Sequence, residues 1–465
     1  MAAATEREGR LRRTSIAVAL GIFAVNLDFF GIQTALPVAA QELNSTITDL
    51  QWAVSGYMLS VACFLIIGGR LADIFGRRRF LLLGVSIFGV TSLIGGMATT
   101  PELLIIMRAV QGVGAAVLIP VGLSIVTNAY PPERVQRAVG TVMGTASVGI
   151  AFGPLIAGVL IQLLGWRWVL WLNVPVSIAV ILLVLRDVKE SRDEKADRRI
   201  DWWGLVLVAA AVGFFTYGID ASGAHGWASP TTIGFVVAGI IGFVALVAVE
   251  LRARNPLLDL ALFKIREFTV TVVAGVADNM AALAVMFAAM TYLQGVLMES
   301  ALVAATAFLA FSAAYALGNQ LSGVLSRFPS WLVMSGALLV GGLGTFLMGV
   351  FDAMPLFLIA AALSGVGLGL GWAFATVATQ AVVPPRQAGL ASGVVLTILI
   401  GMGGVAVAIA SSVIEAHSAT VESTTAAINW VFIGFGSMAL LGCALITFLG
   451  RRGARAAQDT ASTTA

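Results

Sequence analysis

The sequence predicts an all-α membrane protein with about fourteen transmembrane helices, because its composition suits lipid rather than water. Apolar residues make up 59% of the 465-residue chain, charged residues make up 11%, and the mean hydropathy is +0.97. A soluble domain carries about 25% charged residues. Since each span needs about 20 apolar residues, the chain has room for roughly twelve to fourteen spans and for no soluble domain of ordinary size.

The basic residues and the cysteines argue against several other classes of protein. A sequence pI of about 9.1 would suit a nucleic-acid-binding protein, but membrane orientation explains the basic residues better. Cys63 and Cys443 both fall inside apolar runs, so we expect neither a disulfide nor a metal site. The apolar run that begins at Ile16 is long enough to span a membrane, so we expect an uncleaved first helix rather than a signal peptide.

Apolar runs bounded by charges and by proline or glycine clusters place the predicted helices along the chain. In order, they cover residues 14–37, 49–69, 80–99, 102–125, 138–160, 168–186, 202–219, 230–250, 267–290, 300–325, 331–350, 353–379, 388–412 and 426–448. Strict alternation from a cytoplasmic N-terminus puts every Lys and Arg except Arg108 and Arg167 on the inside. The positive-inside rule therefore predicts an even number of spans with both termini in the cytoplasm.

Two charged cytoplasmic segments, residues 187–201 and 250–268, divide the helices into groups of six, two and six. The predicted domains are a six-helix bundle at 1–186, linkers with two inserted helices at 187–266, a second six-helix bundle at 267–450 and a disordered cytoplasmic tail at 451–465. The loops on the other side are short, which is typical of a multi-pass protein of the bacterial inner membrane.

The turn after the second helix, GGRLADIFGRRR (68–79), is a candidate conformational gate. Its candidate residues are Gly69, Asp73, Gly76, Arg77 and Arg78. The glycines permit a tight turn between spans, and the arginines suit the anionic cytoplasmic surface. Asp73 either pairs locally with an arginine, which contributes little when exposed, or latches onto the N-terminus of another helix, whose free N–H groups attract anions.

A charged residue inside the fourth helix, Arg108, predicts a buried partner. A charge at this depth costs about 2.5–3.5 kcal/mol, unless the side chain snorkels to the surface. Gly112, one turn further along, would let another backbone approach closely. We therefore favour an arginine that faces inward and is paired, with snorkelling as the alternative.

The fifth helix carries small residues on one face, and a proline. Gly149 and Gly153 are four residues apart with Gly158 nearby, so a smooth groove runs along the helix. Pro154 removes a backbone hydrogen bond and tends to kink the helix. Static packing accounts for many such grooves, but the glycine–proline pair favours a hinge or a sliding contact.

Two carboxylates are predicted to lie inside the membrane, Asp28 in the first helix and Asp278 in the ninth, with Asn279 beside the latter. An acidic group in low-dielectric surroundings favours its neutral form and can exchange protons near physiological pH. The alternative is a structural carboxyl group that is hydrogen-bonded and permanently neutral. We favour proton exchange for both.

Together, these motifs resemble the major facilitator superfamily, in its fourteen-helix drug:proton antiporter branch, over essentially the whole chain. GGRLADIFGRRR is similar to the loop signature after helix 2. The segment around Arg108 and Gln111 is similar to the helix 4 signature, and the glycines and proline of the fifth helix resemble the signature of exporters. LDFFGIQTALP resembles the helix 1 signature of the branch, and GWRWVLWLNVP (165–175) resembles its usual start of helix 6.

The resemblance implies the major facilitator fold, in which two six-helix bundles enclose a central cavity that opens alternately to each side, plus two additional helices. It implies that Asp28 and Arg108 take part in proton coupling, and we add Asp278. The expected cavity residues are Asp28, Phe30, Gln33, Gln111, Asp278 and Asn279. Asp73 is expected to latch against the start of the thirteenth helix, near Gly389–Ser392, and the groove of the fifth helix is expected to pack against the tenth.

The implied function is a proton-coupled antiporter that exports small amphipathic or hydrophobic compounds, such as drugs and antibiotics. We expect a monomer that binds its substrate, protons and the lipid bilayer but no nucleic acid, and that is driven by the proton gradient without a cofactor or metal. Export of an endogenous metabolite, peptide or lipid shares nearly all these features. An uptake symporter has the same architecture but fits the fifth helix less well. A passive scaffold would not need costly buried charges, and no nucleophile–histidine pair suggests an enzyme.

Overall fold

The structure is a computed structural model that describes residues 2–192, 202–252, 260–325, 327–351, 353–381 and 388–463, and every regular element in these ranges is helical. The α-helices are α1 (Ala2–Glu42), α2 (Ile47–Leu50), α3 (Trp52–Phe75), α4 (Arg77–Gly96), α5 (Pro101–Ala129), α6 (Pro132–Leu164), α7 (Arg167–Trp171), α8 (Asn173–Asp187), α9 (Trp202–His225), α10 (Pro230–Glu250), α11 (Arg266–Thr291), α12 (Ala301–Leu325), α13 (Ser330–Met348), α14 (Met354–Ala381), α15 (Ala388–Glu415) and α16 (Val421–Thr463). A 3₁₀-helix (Leu260–Lys264) precedes α11, and a π-helix (Tyr292–Val296) follows it directly.

The fourteen predicted spans all fall on these helices, the sixth on the consecutive pair α7–α8. Among the described residues, twelve helices are long and apolar enough to cross a membrane. The two halves of α3, Trp52–Leu65 and Ile67–Phe75, are bent by 43° and make a thirteenth span if they cross together. The described apolar stretch of α9, Val206–Ile219, is shorter. The all-helical membrane fold is therefore confirmed, whereas the count of fourteen spans is not.

The helices group into two bundles with a helix pair beside them. In the first bundle, α1, α3–α6 and α8 pack against one another, and in the second α11–α16 do the same. The bundles meet where α6 packs on α12, α3 on α15 and α1 on α11. The remaining pair, α9 and α10, packs mainly on itself, and α9 also lies against α3 and α15.

Glycine permits the closest helix contacts of the second bundle. A Cβ atom on Gly344 of α13 would lie 2.2 Å from the backbone nitrogen of Ser364 in α14. One on Gly369 of α14 would lie 2.0 Å from the carbonyl oxygen of Tyr315 in α12. The backbones of α12, α13 and α14 therefore touch where a side chain is missing. Such close contacts supply the van der Waals attraction that holds helices together in lipid, where the hydrophobic effect between helices is absent.

The C-terminal tail differs from the prediction. Residues 451–465 are predicted to be disordered, but α16 continues to Thr463. The segment is rich in alanine, the strongest helix former, and it extends a helix that is already nucleated by the preceding span. Local propensity is therefore sufficient to carry the helix beyond the apolar residues.

The contact between α13 and α14 predicts a difference between two glycines of α13. Gly344→Ala should lower the melting temperature of the purified protein in detergent, because overpacking costs about 1–3 kcal/mol. Gly336→Ala is the matched control, since a Cβ atom there meets nothing within 4 Å and alanine favours the helix. Thermal unfolding followed by circular dichroism measures both. A Gly344→Ala protein as stable as wild type would contradict the contact.

Candidate functional site

An ion pair lies inside the first bundle, between α1 and α5. Arg108 Nη1 donates a hydrogen bond to Asp28 Oδ2, and both residues are fully buried. Of the two arrangements open for Arg108, the structure therefore shows the paired arginine and not the snorkelling one.

Asn173 holds the second oxygen of Asp28. Its Nδ2 donates to Asp28 Oδ1 at 2.6 Å and lies 3.3 Å from Ser92 Oγ of α4. Sequence reasoning missed both Asn173 and Ser92. The available signal was a lone amide between Leu172 and Val174 at the start of α8, where a membrane helix has no need of a polar side chain unless it is bonded to another polar group.

The guanidinium of Arg108 has further partners from three directions. Its Nε donates to the carbonyl oxygen of Ala53 at 3.1 Å, and its Nη1 lies 2.7 Å from Gln111 Oε1. Gln111 Nε2 in turn donates to Ser92 Oγ at 2.8 Å. The ring centroid of Tyr57 in α3 lies 4.3 Å from Arg108 Cζ, which is a favourable cation–π distance. The network therefore includes residues of α1, α3, α4, α5 and α8.

The second predicted carboxylate has quite different surroundings. Asp278 of α11 is fully buried against α14, and a Cβ atom on Gly371 would lie 2.0 Å from its Oδ1. The backbone N–H of Trp372 lies close to the carboxyl group, but neither oxygen makes a hydrogen bond of full geometry with a described residue. The neighbouring Asn279 donates to the carbonyl oxygen of Leu399 at 2.6 Å. Asp278 thus has neither a cation nor an amide comparable to the partners of Asp28 among the described residues.

The predicted cavity residues lie in closed contacts and not along an open space. Phe30 and Gln33 are buried, and they meet the second bundle directly. The rings of Phe30 and Tyr315 are 6.1 Å apart, and Gln33 Nε2 lies 3.9 Å from Met286 Sδ. Gln111 belongs to the arginine network. In this conformation the two bundles are in contact at the level of Phe30 and Gln33, and a substrate cavity lined by the six residues stays a prediction.

A further contact joins the bundles beyond that level, nearer the C-terminal end of α1. Gln294 Nε2 donates to the carbonyl oxygen of Thr34 at 3.1 Å, and Thr34 Oγ1 lies 3.9 Å from Met290 Sδ. Gln294 belongs to the π-helix Tyr292–Val296, a rare conformation that is frequent at functional positions. Sequence reasoning gave no sign of it. The bundles are therefore held together in the half of the membrane remote from the start of α1.

An open cavity of about 740 Å³ lies at the opposite end, near the start of α1. Its walls are formed by residues of α1 from Arg12 to Leu20, by Tyr130, and by residues of α6 from Arg134 to Thr145. None of the predicted cavity residues lines it. The open volume is therefore displaced along α1 toward the face that the positive-inside rule assigns to the cytoplasm.

The candidate gate after α3 shows the local pairing of Asp73. Arg77 Nε and Nη2 each lie 2.8 Å from Asp73 Oδ1, four residues earlier in the chain and across the turn between α3 and α4. Gly76 separates α3 from α4 with a φ of +122°, which favours glycine. A Cβ atom on Gly69 would have room, 3.7 Å from Pro120 Cβ. Gly76 therefore makes the turn possible, whereas Gly69 does not create a tight contact.

The start of α4 is tied to the segment that follows α8. Arg78 Nη2 donates to the carbonyl oxygen of Leu185 at 2.8 Å, and the backbone N–H of Arg78 donates to Glu190 Oε1 at 3.0 Å. Arg79 Nε lies 3.7 Å from Glu190 Oε2. The side chains of residues 388–394, which include the predicted partner of Asp73, lie outside the described residues. The latch therefore stays a prediction.

The groove of α6 packs differently from the prediction. A Cβ atom on Gly149 or on Gly153 would lie 2.7 Å or 3.2 Å, respectively, from a backbone oxygen of α1. Only Gly158 meets α12, where its Cβ would lie 2.8 Å from Ala305 Cβ. Pro154 is buried between these levels. The helix does pack on α12, as expected, and Ser312 Oγ of α12 donates to the carbonyl oxygen of Ala151 at 2.8 Å. Among the groove glycines, however, Gly149 and Gly153 face α1 and Gly158 faces α12.

The sequence of the chain matches a profile described as Major Facilitator Superfamily over residues 18–258. The chain is 32% identical over 388 residues to the multidrug resistance protein Stp of Mycobacterium tuberculosis (strain CDC 1551 / Oshkosh), covering 82% of this chain and 72% of that protein. It is also 32% identical over 399 residues to the tetracenomycin C resistance and export protein of Streptomyces glaucescens, covering 83% and 72%. With the puromycin resistance protein pur8 of Streptomyces alboniger, the identity is 33% over 387 residues, covering 80% and 75%.

Solved structures share the fold at low sequence identity. A mutant of the nucleoside transporter NupG matches with a TM-score of 0.67 and 14% identity, covering 95% of this chain and 99% of that chain. A peptide transporter POT in complex with sulfate matches with a TM-score of 0.69 and 16% identity, covering 95% and 94%. At these identities, the likeness shows the fold alone.

The ion pair predicts strongly non-additive substitutions. Arg108→Gln alone should lower the free energy of unfolding by about 3–5 kcal/mol, because it leaves a buried carboxylate without its cation. The double variant Asp28→Asn/Arg108→Gln removes both charges and should recover much of that loss. Thermal unfolding of the wild type, both single variants and the double variant closes the cycle. Additive effects would mean that the two charges do not stabilise each other.

Proposed function

The chain belongs to the major facilitator superfamily, and on that premise we propose that it is a proton-coupled antiporter that exports small amphipathic compounds from the bacterial cytoplasm. The single observation that carries the proton coupling is Asp278, a fully buried carboxyl group without an ionic partner among the described residues. The names of the relatives support the substrate class, since they refer to multidrug resistance, puromycin resistance and tetracenomycin C resistance and export.

Asp278 is the proposed proton carrier. An isolated buried carboxylate is so costly that the group takes up a proton instead, so Asp278 is neutral in this conformation. Exposure of the site to water after a conformational change lets the same group ionise. Gly371 makes the buried position of Asp278 possible, because only a residue without a side chain leaves room for the carboxyl group beside α14.

Asp28 has a different role in the proposal. Its charge is balanced by Arg108, and its second oxygen accepts a hydrogen bond from Asn173. Protonation of Asp28 would release Arg108 and Asn173 together and loosen α1 from α5 and α8. Protonation of Asp28 would thus change the position of α1, whereas protonation of Asp278 would release no charged side chain among the described residues.

The transport cycle follows from where the bundles touch. The contacts Phe30–Tyr315 and Gln294–Thr34 close the half that faces away from the start of α1, and the cavity opens on the half that contains it. With the N-terminus inside, this conformation faces the cytoplasm and receives substrate. Rocking of the bundles would open the outer contacts, release the substrate and expose the carboxyl groups to external protons.

The proton gradient supplies enough energy for this cycle. One charge that crosses a potential of 100 mV contributes about 2.3 kcal/mol, and no cofactor is needed. In this proposal the protein is a monomer of fourteen spans in the bacterial inner membrane, with both termini in the cytoplasm. Its partners are the substrate, protons and lipid.

A second candidate is export of a compound that the cell itself makes. The relative from Streptomyces glaucescens is named for both resistance and export, which suits a producer that protects itself. The same site serves either role, since a carrier for amphipathic molecules does not distinguish their origin.

Expression of the protein in an efflux-deficient bacterial strain should raise tolerance to puromycin or tetracenomycin C, because export lowers the internal concentration of the drug. Growth at graded drug concentrations measures this, with the empty vector as control. Collapse of the proton gradient should remove the effect on drug accumulation. Unchanged tolerance to both compounds, with the protein present in the membrane, would count against drugs of these two types as substrates.

Asp278→Asn should abolish proton release evoked by the drug that the growth test identifies, because an amide cannot carry the proton. Drug binding should persist, and its dependence on pH should weaken, because Asp278 no longer contributes to it. Proteoliposomes with an internal pH dye report the proton release. Asp49→Asn is the matched control, since Asp49 is exposed at the start of α2 and should behave as wild type. Normal proton release by Asp278→Asn would remove this residue from the coupling scheme.

A further inference from the structure

Residues on one face of α1 and on one face of α6 line the open cavity. On α1 the lining residues recur at helical spacing, at Arg12, Ser15, Ile16, Ala19 and Leu20. A second stripe on α6 runs from Arg134 to Thr145, and Tyr130 closes the cavity between the two helices. A volume of about 740 Å³ falls within the range of about 300–1,000 Å³ that small-molecule sites occupy.

The walls offer an apolar surface with hydroxyl groups set into it. Ile16, Leu20 and Val142 supply aliphatic area, which suits the apolar body of an amphipathic molecule. Ser15 Oγ and Tyr130 Oη are 3.0 Å apart and hydrogen-bonded to each other, so these two hydroxyl groups satisfy one another. The walls therefore suit an apolar ligand and do not require it to form a particular hydrogen bond deep in the cavity.

The charged side chains among the described lining residues are all positive. Arg12 and Arg134 lie on the lining, and no described lining residue is acidic. Arg134 Nη1 pairs with Glu8 Oε1 at 3.0 Å, but both side chains are largely exposed. An exposed pair of this kind is weak, so an incoming anion can replace Glu8. Asp28 and Asp278 do not offset these arginines, because they lie outside the lining, buried at a different level of the molecule.

We propose that this cavity is the first binding site for exported substrates and that, among amphipathic molecules, it binds those with an anionic polar group most tightly. The apolar body lies against Ile16, Leu20 and Val142, and a carboxylate, sulfonate or phosphate group meets Arg12 and Arg134. This inference rests on the proposed function and adds the charge class of the substrate. A negative substrate also gains from the inside-negative membrane potential when it is expelled.

The positive-inside rule explains why arginines occur on this face, but not why two of them, from different helices, lie on the wall of one cavity. A general surface potential would act through any basic residue nearby. Arg10, two residues before Arg12 on α1, is not part of the lining. Substitution of Arg10 therefore distinguishes an effect of the cavity lining on ligand binding from an effect of the general surface potential.

Three probes with one fluorophore test the charge class: dansylglycine, which is anionic; dansylamide, which is neutral; and dansylcadaverine, which is cationic. Titrations use the full-length purified protein in nanodiscs of uncharged phosphatidylcholine, with dansyl fluorescence as the readout. We expect dansylglycine to bind about two- to fivefold more tightly than the other two, the range of discrimination that an exposed charge contact supplies.

Arg12→Gln and Arg134→Gln should each weaken dansylglycine binding severalfold and leave dansylamide binding unchanged, whereas Arg10→Gln should leave both unchanged. Melting temperatures confirm that the variants are folded. Equal binding of the cationic probe, or an equal loss in Arg10→Gln, would overturn the inference. Export of drugs with no preference for anions would overturn the inference alone. Anion-selective binding without any export in the growth test would instead overturn the proposed function.

Discussion

Taking a carboxylate and a guanidinium out of water costs several kcal/mol per ion, and the first bundle is arranged around meeting that cost for Asp28 and Arg108. Of the five helices involved, α1 supplies the carboxylate and α5 the arginine. Asn173 comes from α8, Ser92 from α4, and the carbonyl oxygen of Ala53 from α3. Because both charges need these partners simultaneously, a displacement of one helix disturbs the hydrogen bonds of the others. The pair therefore links the positions of five helices in the first bundle.

The second bundle accommodates a buried carboxyl group without an ion pair among the described residues. Asp278 lies between α11 and α14 with no balancing charge among the described residues, and the space it occupies exists because Gly371 lacks a side chain. The bundle holds together through glycine contacts, such as those of Gly344 and Gly369, and through isolated hydrogen bonds between helices, such as that of Asn279 with the carbonyl oxygen of Leu399. The first bundle thus contains a buried ion pair, and the second a buried carboxyl group without a balancing charge among the described residues. This asymmetry is the basis of the distinct roles proposed for the two carboxylates.

The contacts between the bundles determine which surfaces of the protein a ligand can reach. Phe30 and Gln33 pack directly on the second bundle. The open cavity lies elsewhere, along residues 12–20 of α1 and residues 134–145 of α6, and its lining combines apolar side chains with two arginines. The proposed selection by charge and the proposed proton exchange would therefore take place at different levels of the molecule.

The amino-acid sequence by itself determines that the chain is helical and membrane-embedded, because apolar runs of spanning length leave the backbone no other way to satisfy its hydrogen bonds in lipid. It also identifies Asp28, Arg108 and Asp278, since a charge in an apolar run is costly wherever the helix lies. Their partners were decided only by the tertiary structure: Asn173 is 145 residues from Asp28 along the chain. Likewise, Gly149 faces α1 and Gly158 faces α12, although both belong to one glycine pattern. The periodicity of a helix shows which residues share a face, but only the packing of distant helices decides what that face meets and where a cavity remains.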